Sequence, residues 1–211
     1  MINIIAHRGM WEKNTDNQNS EDSFSKALKN NFGIETDVRD YRGELVISHD
    51  IATEKSMKFS DFIRIYKKFS PERPIAVNIK SDGLQDLLAN FLHKEMITNY
   101  FVFDMSIPDS LGYIKKSIST FLRISEYENY NALCQSVDGI WLDSFNSDWF
   151  NEKDISDILN RGKKICIISP EVHKRDHINV WKLLKESNFH NNDQVYICTD
   201  LPLEVEDYFD E

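Results

Sequence analysis

Short apolar segments recur along the chain at roughly regular spacing, and helical patterns separate them. The segments are too short for buried helices and are typical of buried strands. Strands that alternate with helices predict a parallel α/β fold. Eight such units favour a single-domain (β/α)8 TIM barrel over residues 1–211, whereas a doubly wound open sheet lacks the support of a glycine-rich phosphate loop. The predicted strands lie near residues 2–6, 33–37, 75–80, 100–103, 120–124, 137–142, 165–168 and 195–198, with 45–47 as a side hairpin or an extension of the second.

Charge and composition exclude several classes of partner. The 211 residues carry a formal net charge of -10 at pH 7 and no Lys/Arg cluster, which argues against a nucleic-acid partner. No apolar run approaches membrane-spanning length, and the N-terminus does not resemble a signal peptide. The cysteines Cys134, Cys166 and Cys198 lie far apart and fit reduced core thiols. We expect a cytoplasmic protein without a membrane span, and the oligomeric state stays open.

Polar residues follow the carboxyl ends of the predicted strands, where a barrel carries its active site. Glu35 and Asp37 lie two residues apart and point to the same side of their strand. Carboxylates placed there suit a hard cation such as Mg²⁺ or Ca²⁺, although two solvated acids would give the same pattern. The later strand ends add Asp104, Glu126, Asp143, Glu171 and Asp200.

Two histidines also end predicted strands. A lone buried histidine more often bonds the backbone than reacts, but His7 and His49 together suggest an acid/base pair that works near neutral pH. Lys80 follows the third strand, where it is either a surface lysine or a group that neutralises a phosphate oxygen. Trp141 ends the sixth strand, where it either packs in the core or stacks on a sugar or polyol.

The order of these motifs resembles that of the glycerophosphodiester phosphodiesterase family, within the phospholipase-C-like phosphodiesterase barrels. The dense match covers about the first fifty residues, and Lys80 and Thr199-Asp200-Leu201-Pro202 add support farther on. The motifs that carry it are His7-Arg8-Gly9, Asn19-Ser20 with Phe24 and Ala27, Glu35-Thr36-Asp37-Val38, and Gly43 to His49-Asp50.

The resemblance implies metal-assisted cleavage of a small-molecule phosphodiester. The residues it implies are His7 and His49 as general acid and base, Glu35 and Asp37 as ligands of a divalent metal (Mg²⁺ or Ca²⁺), and Arg8 and Lys80 as phosphate contacts. Which histidine is the acid stays open. The substrate would be a glycerol-, polyol- or sugar-linked phosphodiester, with Trp141 as a possible stacking partner.

The chain departs from the family pattern at three places. Asn78 stands where the family usually has a metal-binding glutamate, and its amide oxygen can still coordinate Mg²⁺ or Ca²⁺. Glu171 is a further candidate ligand, or a plain loop acid. Gln18 replaces a motif glutamate, and only a short helical stretch follows Asp50 where family members carry an insertion.

Two other functions are compatible with these residues. The first is a non-catalytic phospholigand-binding barrel derived from such enzymes, which the neutral side chains of Asn78 and Gln18 would suit. The second is a metal-independent lyase that uses the histidine pair alone. Turnover and its sensitivity to a chelator would separate the three.

Overall fold

The computed structural model describes residues 2–11, 17–69 and 73–210. Its strands are β1 (Asn3–His7), β2 (Gly33–Tyr41), β3 (Glu44–Ile47), β4 (Met57–Lys58), β5 (Ile75–Ile79), β6 (Tyr100–Phe103), β7 (Phe121–Ile124), β8 (Gly139–Leu142), β9 (Lys164–Ile168) and β10 (Val195–Thr199). Its helices are α1 (Glu21–Lys29), α2 (Phe59–Phe69), α3 (Gln85–Lys94), α4 (Ile107–Lys115), α5 (Glu152–Asn160), α6 (Ile178–Glu186) and α7 (Pro202–Asp210).

Eight of these strands run parallel around a ring. The order is β1, β2, β5, β6, β7, β8, β9, β10, and β10 pairs with β1 again. β6 and β7 meet only through a parallel bridge between Val102 and Thr120 within the described residues. There the N–H of Val102 donates to the carbonyl of Ser119 at 2.8 Å. The predicted (β/α)8 fold is confirmed, and the open-sheet alternative is wrong because its strand order would not return to β1.

The predicted side hairpin lies outside the ring. β3 pairs antiparallel with β2, and β4 pairs antiparallel with β3. The turn between β2 and β3 consists of Arg42 and Gly43, both at positive φ, 52° and 82°. Two left-handed residues match the right-handed twist of the flanking strands in a two-residue hairpin. The hairpin returns the chain to the cavity end of the barrel, where His49 follows β3.

Helix α1 shows how the local sequence sets these elements. The Ser20 side chain accepts the N–H of Ser23, one of the N–H groups that have no partner within the helix. Acidic residues in the first turn place negative charge at the positive end of the helix dipole. Its apolar face is fully buried, and Phe24 packs on Phe62 of α2 with ring centroids 4.7 Å apart. The sequence predicted this start and this face.

Two element boundaries are set by local packing and capping. After α1, Asn31 takes a left-handed conformation, with φ 65°, and Gly33 begins β2. Position 33 requires a glycine because a Cβ there would lie 2.7 Å from the carbonyl oxygen of Pro74. Helix α4 begins at Ile107, and Ser106 caps it by accepting the N–H of Asp109.

The barrel interior is a separate apolar cluster beneath the strand ends. Aromatic rings fill it: Phe101 stacks on Phe121 at 3.9 Å, and Phe103 on Trp141 at 3.6 Å between centroids. Gly139 makes room for Phe121, since a Cβ there would lie 2.4 Å from the ring. The interior also holds Ile5, Ala76, Cys166, Ile168, Tyr196 and Cys198. This packed layer closes the barrel below the polar residues of the rim.

None of the helices in the described part of the chain is both long and apolar enough to cross a membrane.

Candidate active site

A cavity of about 650 Å³ opens at the carboxyl ends of the barrel strands. Seven of the eight barrel strands contribute a residue at or just beyond the carboxyl end, and β2 contributes Glu35, its third residue. Of the sequence-predicted site residues, all but Asp37 line the cavity: His7, Arg8, Glu35, His49, Asn78, Lys80, Trp141 and Glu171. Asp37 is fully buried directly behind this wall.

Strand register brings the predicted metal ligands and His7 together. His7 of β1 is paired with Glu35 of β2, and Asp37 of β2 is paired with Asn78 of β5. Paired residues of a parallel ladder project to the same face, and residues two apart on one strand share it. The four side chains therefore project to the inside of the barrel from three adjacent strands.

Three buried oxygens in this group have no hydrogen-bond partner within the described part of the chain. They are Oε1 of Glu35, Oδ1 of Asp37 and Oδ1 of Asn78. The other carboxylate oxygens are used: Oε2 of Glu35 accepts the N–H of Arg8 at 3.1 Å, and Oδ2 of Asp37 accepts the Asn19 amide at 2.9 Å. An unsatisfied buried oxygen is costly, and three of them on adjacent strands form an oxygen donor set of the kind that Mg²⁺ and Ca²⁺ bind.

The two carboxylates also repel each other. Burial and the neighbouring charge of Asp37 raise the pKa of Glu35 to about 7, while His7, Arg8 and Lys80 act in the opposite direction. A bound cation would relieve this repulsion. Among the described residues no group of three or more His, Cys, Asp or Glu could hold a metal ion, so a site here depends on the amide oxygen of Asn78 as its third donor.

His7 is held by a carboxylate that the sequence did not assign to it. Its Nδ1 lies 2.7 Å from Oδ1 of Asp200, just beyond β10, and its Nε2 lies 3.8 Å from Oε2 of Glu35. Burial lowers the pKa of His7, but the Asp200 hydrogen bond and the charges of Glu35 and Asp200 outweigh it, so the net pKa is raised. The bond to Asp200 occupies Nδ1 and directs Nε2 toward Glu35.

Arg8 and Gly9 make a tight turn beside the ligands. Arg8 has φ 56° and Gly9 has φ 83°, and a Cβ on Gly9 would lie 2.6 Å from Oγ of Ser23. The turn places Nε of Arg8 3.0 Å from Oδ2 of Asp37 and lets Nη1 donate to Gln18 at 3.0 Å. The glycine is thus required by the approach of helix α1, and Arg8 is fixed at the cavity wall.

The ammonium of Lys80 is part of an ion-pair network. It donates to Asp104 at 3.0 Å and lies 3.6 Å from Oδ1 of Asp37. Asp104 also accepts from Arg123, which pairs with Glu128 at 2.5 Å. Lys80 therefore contributes positive charge at the edge of the ligand group while its own position is fixed by Asp104.

His49 lies in the same cavity but is held more loosely. Its side chain is 49% exposed, and its Nδ1 lies 2.9 Å from Asp50, whose own side chain is 94% exposed. The backbone carbonyl of His49 accepts from Arg39 at 3.1 Å, which fixes the loop after β3 rather than the ring.

The contacts of Glu171 and Trp141 bear on the two alternatives that the sequence left open for each. Both carboxylate oxygens of Glu171 accept hydrogen bonds, from Ser169, from Thr199 and from the N–H of Asp200, so we leave Glu171 out of the proposed ligand set. Glu171 instead ties the ends of β9 and β10 together and positions Asp200. Trp141 is 5% exposed and stacks on Phe103, so it forms the cavity floor.

A third histidine of the cavity, His173, is not among the residues that the motifs predicted. It follows β9, and its Nε2 lies 2.6 Å from Oδ1 of Asp143 beyond β8. Asp143 had been recognised as a strand-end acid, but His173 belongs to none of the motifs. Only its position two residues after Glu171, beyond a predicted strand end, could have indicated it.

Comparisons with known proteins support the fold. No protein-family model matches the sequence, and no curated protein matches it. A glycerophosphodiester phosphodiesterase from Parabacteroides distasonis matches at 16% identity and a TM-score of 0.73, over 99% of this chain and 97% of that one. A phosphodiesterase from Oleispira antarctica, solved with its product sn-glycerol-3-phosphate, matches at 13% identity and 0.69, over 99% and 96%.

A third solved structure, a glycerophosphodiester phosphodiesterase from Thermotoga maritima, matches at 15% identity and a TM-score of 0.65, over 98% of each chain. These likenesses cover nearly whole chains on both sides, so the resemblance extends well beyond the first fifty residues on which the motifs lie. The chain has the TIM-barrel fold of the glycerophosphodiester phosphodiesterases.

Proposed function

We propose that this protein is a metal-assisted phosphodiester hydrolase that acts on small molecules. The observation that carries the proposal is the group of three buried oxygens, on Glu35, Asp37 and Asn78, that have no hydrogen-bond partner among the described residues, beside a histidine that a carboxylate holds. A non-catalytic core would satisfy such oxygens with hydrogen bonds. The fold adds support because solved enzymes that share it are phosphodiesterases.

The donor set fits a divalent cation, Mg²⁺ or Ca²⁺. Glu35 and Asp37 would supply the negative charge and Asn78 a neutral oxygen. A cation bound there would polarise a non-bridging phosphate oxygen and neutralise the charge that develops on it. Arg8, next to Asp37, and Lys80, next to Asp104, would add positive charge for the same phosphate.

His7 would transfer a proton at its Nε2. Because Nδ1 is bound to Asp200, the ring is fixed and Nε2 is free to take a proton from a water or from a neighbouring hydroxyl of the substrate. A second imidazole is needed to protonate the leaving alcohol. The resemblance implies His49 as the partner of His7 without saying which of the two is the acid, and His49 lies in the same cavity.

The substrate class is a small phosphodiester with a glycerol, polyol or sugar part. A cavity of about 650 Å³ has the size of a small-molecule site. The complex of the Oleispira antarctica phosphodiesterase with sn-glycerol-3-phosphate makes a glycerol-linked diester the first to test. Stacking of a sugar on Trp141 is weakly supported, because Phe103 already covers one face of its ring.

A panel of diesters tests the proposal. Purified protein would be assayed with an aryl phosphodiester and with glycerol, polyol and sugar diesters, in Mg²⁺ or Ca²⁺ and in EDTA. We expect release of the alcohol in metal, none in EDTA, and at least a ~100-fold loss of kcat/KM in His7→Ala. His93→Ala, an exposed histidine on α3, is the matched control.

Three outcomes would contradict the proposal in distinct ways. Binding of the diesters without turnover would indicate a phospholigand-binding barrel. Turnover that EDTA leaves unchanged would indicate the metal-independent lyase. Turnover that survives in His7→Ala would remove His7 from the mechanism.

A further inference from the structure

A second imidazole–carboxylate pair lies across the cavity from the proposed metal ligands. In the ring of eight strands, β8 is four strands from β2, and β9 is four strands from β5. Asp143 follows β8 and His173 follows β9, so they face the strands that carry Glu35, Asp37 and Asn78. A phosphate held at those ligands would have His173 on the opposite wall of the cavity.

The His173 ring is fixed in place. Its Nε2 lies 2.6 Å from Oδ1 of Asp143, which is only 7% exposed and also accepts the N–H of Ser144 at 2.9 Å. The ring packs against Phe145 with centroids 4.7 Å apart. None of the described residues hydrogen-bonds Nδ1, and the His173 side chain is 23% exposed and lines the cavity. One ring nitrogen is thus anchored while the other is left for a ligand.

This arrangement repeats that of His7 with Asp200 and differs from that of His49. His7 and His173 each have one nitrogen on an aspartate within 2.7 Å, and both lie mostly buried at the cavity wall. His49 is half exposed, and its aspartate is almost fully exposed. A carboxylate bound to one ring nitrogen fixes the tautomer and the orientation of an imidazole. Two imidazoles of the cavity are therefore held in this way by mostly buried carboxylates, and His49 is not one of them.

We propose that His173, positioned by Asp143, donates the proton to the leaving alcohol, so that His173 rather than His49 is the partner of His7 in the acid/base pair. The inference rests on the proposed phosphodiesterase function. A water oxygen forms the new bond to phosphorus, and its proton passes to Nε2 of His7. The bond from phosphorus to the ester oxygen breaks and its electron pair stays on that oxygen. His173 enters the step as an imidazolium with Nε2–H held by Asp143, donates its Nδ1 proton to that oxygen and becomes neutral. The products are a phosphomonoester and an alcohol, and the two histidines return to their starting states by proton exchange with water.

The test compares leaving groups of different basicity. Three diesters would share the retained alcohol that the panel shows to be best and would release 4-nitrophenol, phenol or ethanol. An enzyme that has lost its proton donor fails most with the poorest leaving group, whereas nitrophenolate departs without a proton. We expect His173→Gln to lower kcat/KM about 100- to 1,000-fold for ethanol and less than about 10-fold for 4-nitrophenol. We expect Asp143→Asn also to lower kcat/KM more for the diester that releases ethanol than for the one that releases 4-nitrophenol, because Asp143 positions His173.

Two further histidines serve as controls. His49→Gln is expected to change all three rates by one common factor, and the exposed His93→Gln to change none. Thermal unfolding of each variant checks that it is folded, and His173→Asn is a second substitution at the same place. A common factor for all three leaving groups in His173→Gln, or leaving-group dependence in His49→Gln instead, would overturn the role of His173 while the phosphodiesterase stands. Failure of the unmodified protein to cleave any of the three would overturn both.

Discussion

At the scale of single residues, the proposed metal site is short of charge. Glu35 and Asp37 bring two carboxylates, and the third donor, Asn78, is neutral. Asn78 is paired with Asp37 across the β2–β5 ladder, so its side chain projects to the proposed metal ligands, as a charged side chain at the same position would. The loss of one charge lowers the repulsion within the free protein and lowers the attraction for a cation. A substitution at residue 78 therefore changes both the repulsion between the carboxylates and the attraction for a cation.

Asn78→Asp, which keeps the size of the side chain, should strengthen cation binding. We expect the melting temperature in EDTA to fall, because a third buried carboxylate joins two others, and its rise on adding Mg²⁺ or Ca²⁺ to become larger than in the unmodified protein. Differential scanning fluorimetry over a metal titration measures both. Asn90→Asp on the exposed face of α3 is the control. An unchanged metal-dependent shift in Asn78→Asp would show that residue 78 is not a ligand.

At the scale of elements, the loops beyond β7 and β8 are joined by one carboxylate. Glu126 accepts the N–H groups of Phe145 at 3.0 Å, Asn146 at 2.8 Å and Ser147 at 3.0 Å. Burial alone would raise the pKa of Glu126, but these three hydrogen bonds to the charged form lower the pKa to about 2. Phe145, held in this way, packs against His173. The loop contact therefore supports the cavity wall.

The stability that Glu126 contributes should depend on pH. Its folded pKa of about 2 lies below the ordinary value of 4.5, so the contribution is complete above pH 4.5 and is lost as the pH falls toward 2. We expect Glu126→Gln to lower the free energy of unfolding by about 1 kcal/mol at pH 7, well below the full shift because solvent screens the group. At pH 3 the difference should be less than half as large. Urea unfolding at the two pH values measures it, with exposed Glu54→Gln as the control. An equal loss at both values would mean that charge is not the cause.

At the scale of the whole molecule, the rim is polar because the interior beneath it is tightly filled. The stacked pairs Phe101–Phe121 and Phe103–Trp141 occupy the centre of the barrel, and Gly139 leaves space for Phe121. Two of these rings, Phe103 and Trp141, also line the cavity. The floor of the site and the core of the barrel are thus one packing unit.

Gly139→Ala should overpack this unit. A methyl group there would lie 2.4 Å from the ring of Phe121, which is fully buried and cannot turn aside. We expect a loss of about 1–3 kcal/mol in the free energy of unfolding. The double variant Gly139→Ala with Phe121→Leu should regain part of the loss, because the smaller side chain gives back the space. Denaturant unfolding of the three proteins measures this, and the absence of any rescue would place the strain elsewhere.

The sequence by itself determined the barrel and half of its candidate site. The strands are short apolar runs, too short for buried helices. The period of two along a strand already puts Glu35 and Asp37 on one face. The motif His7-Arg8-Gly9 could be interpreted locally because its glycine and its turn are local features. For the same reason the cap of α1 was predicted correctly.

Only the tertiary structure decided how distant residues are paired. Asp200 reaches His7 from the last strand, and Asp143 reaches His173 across two loops, because the ring places β10 beside β1 and β8 beside β9. It also showed that both carboxylate oxygens of Glu171 accept hydrogen bonds, which is why our proposed ligand set leaves Glu171 out. Side-chain pairing depends on strand order and register, which periodicity along one segment does not contain. The second imidazole–carboxylate pair therefore became visible only when the strands were assembled.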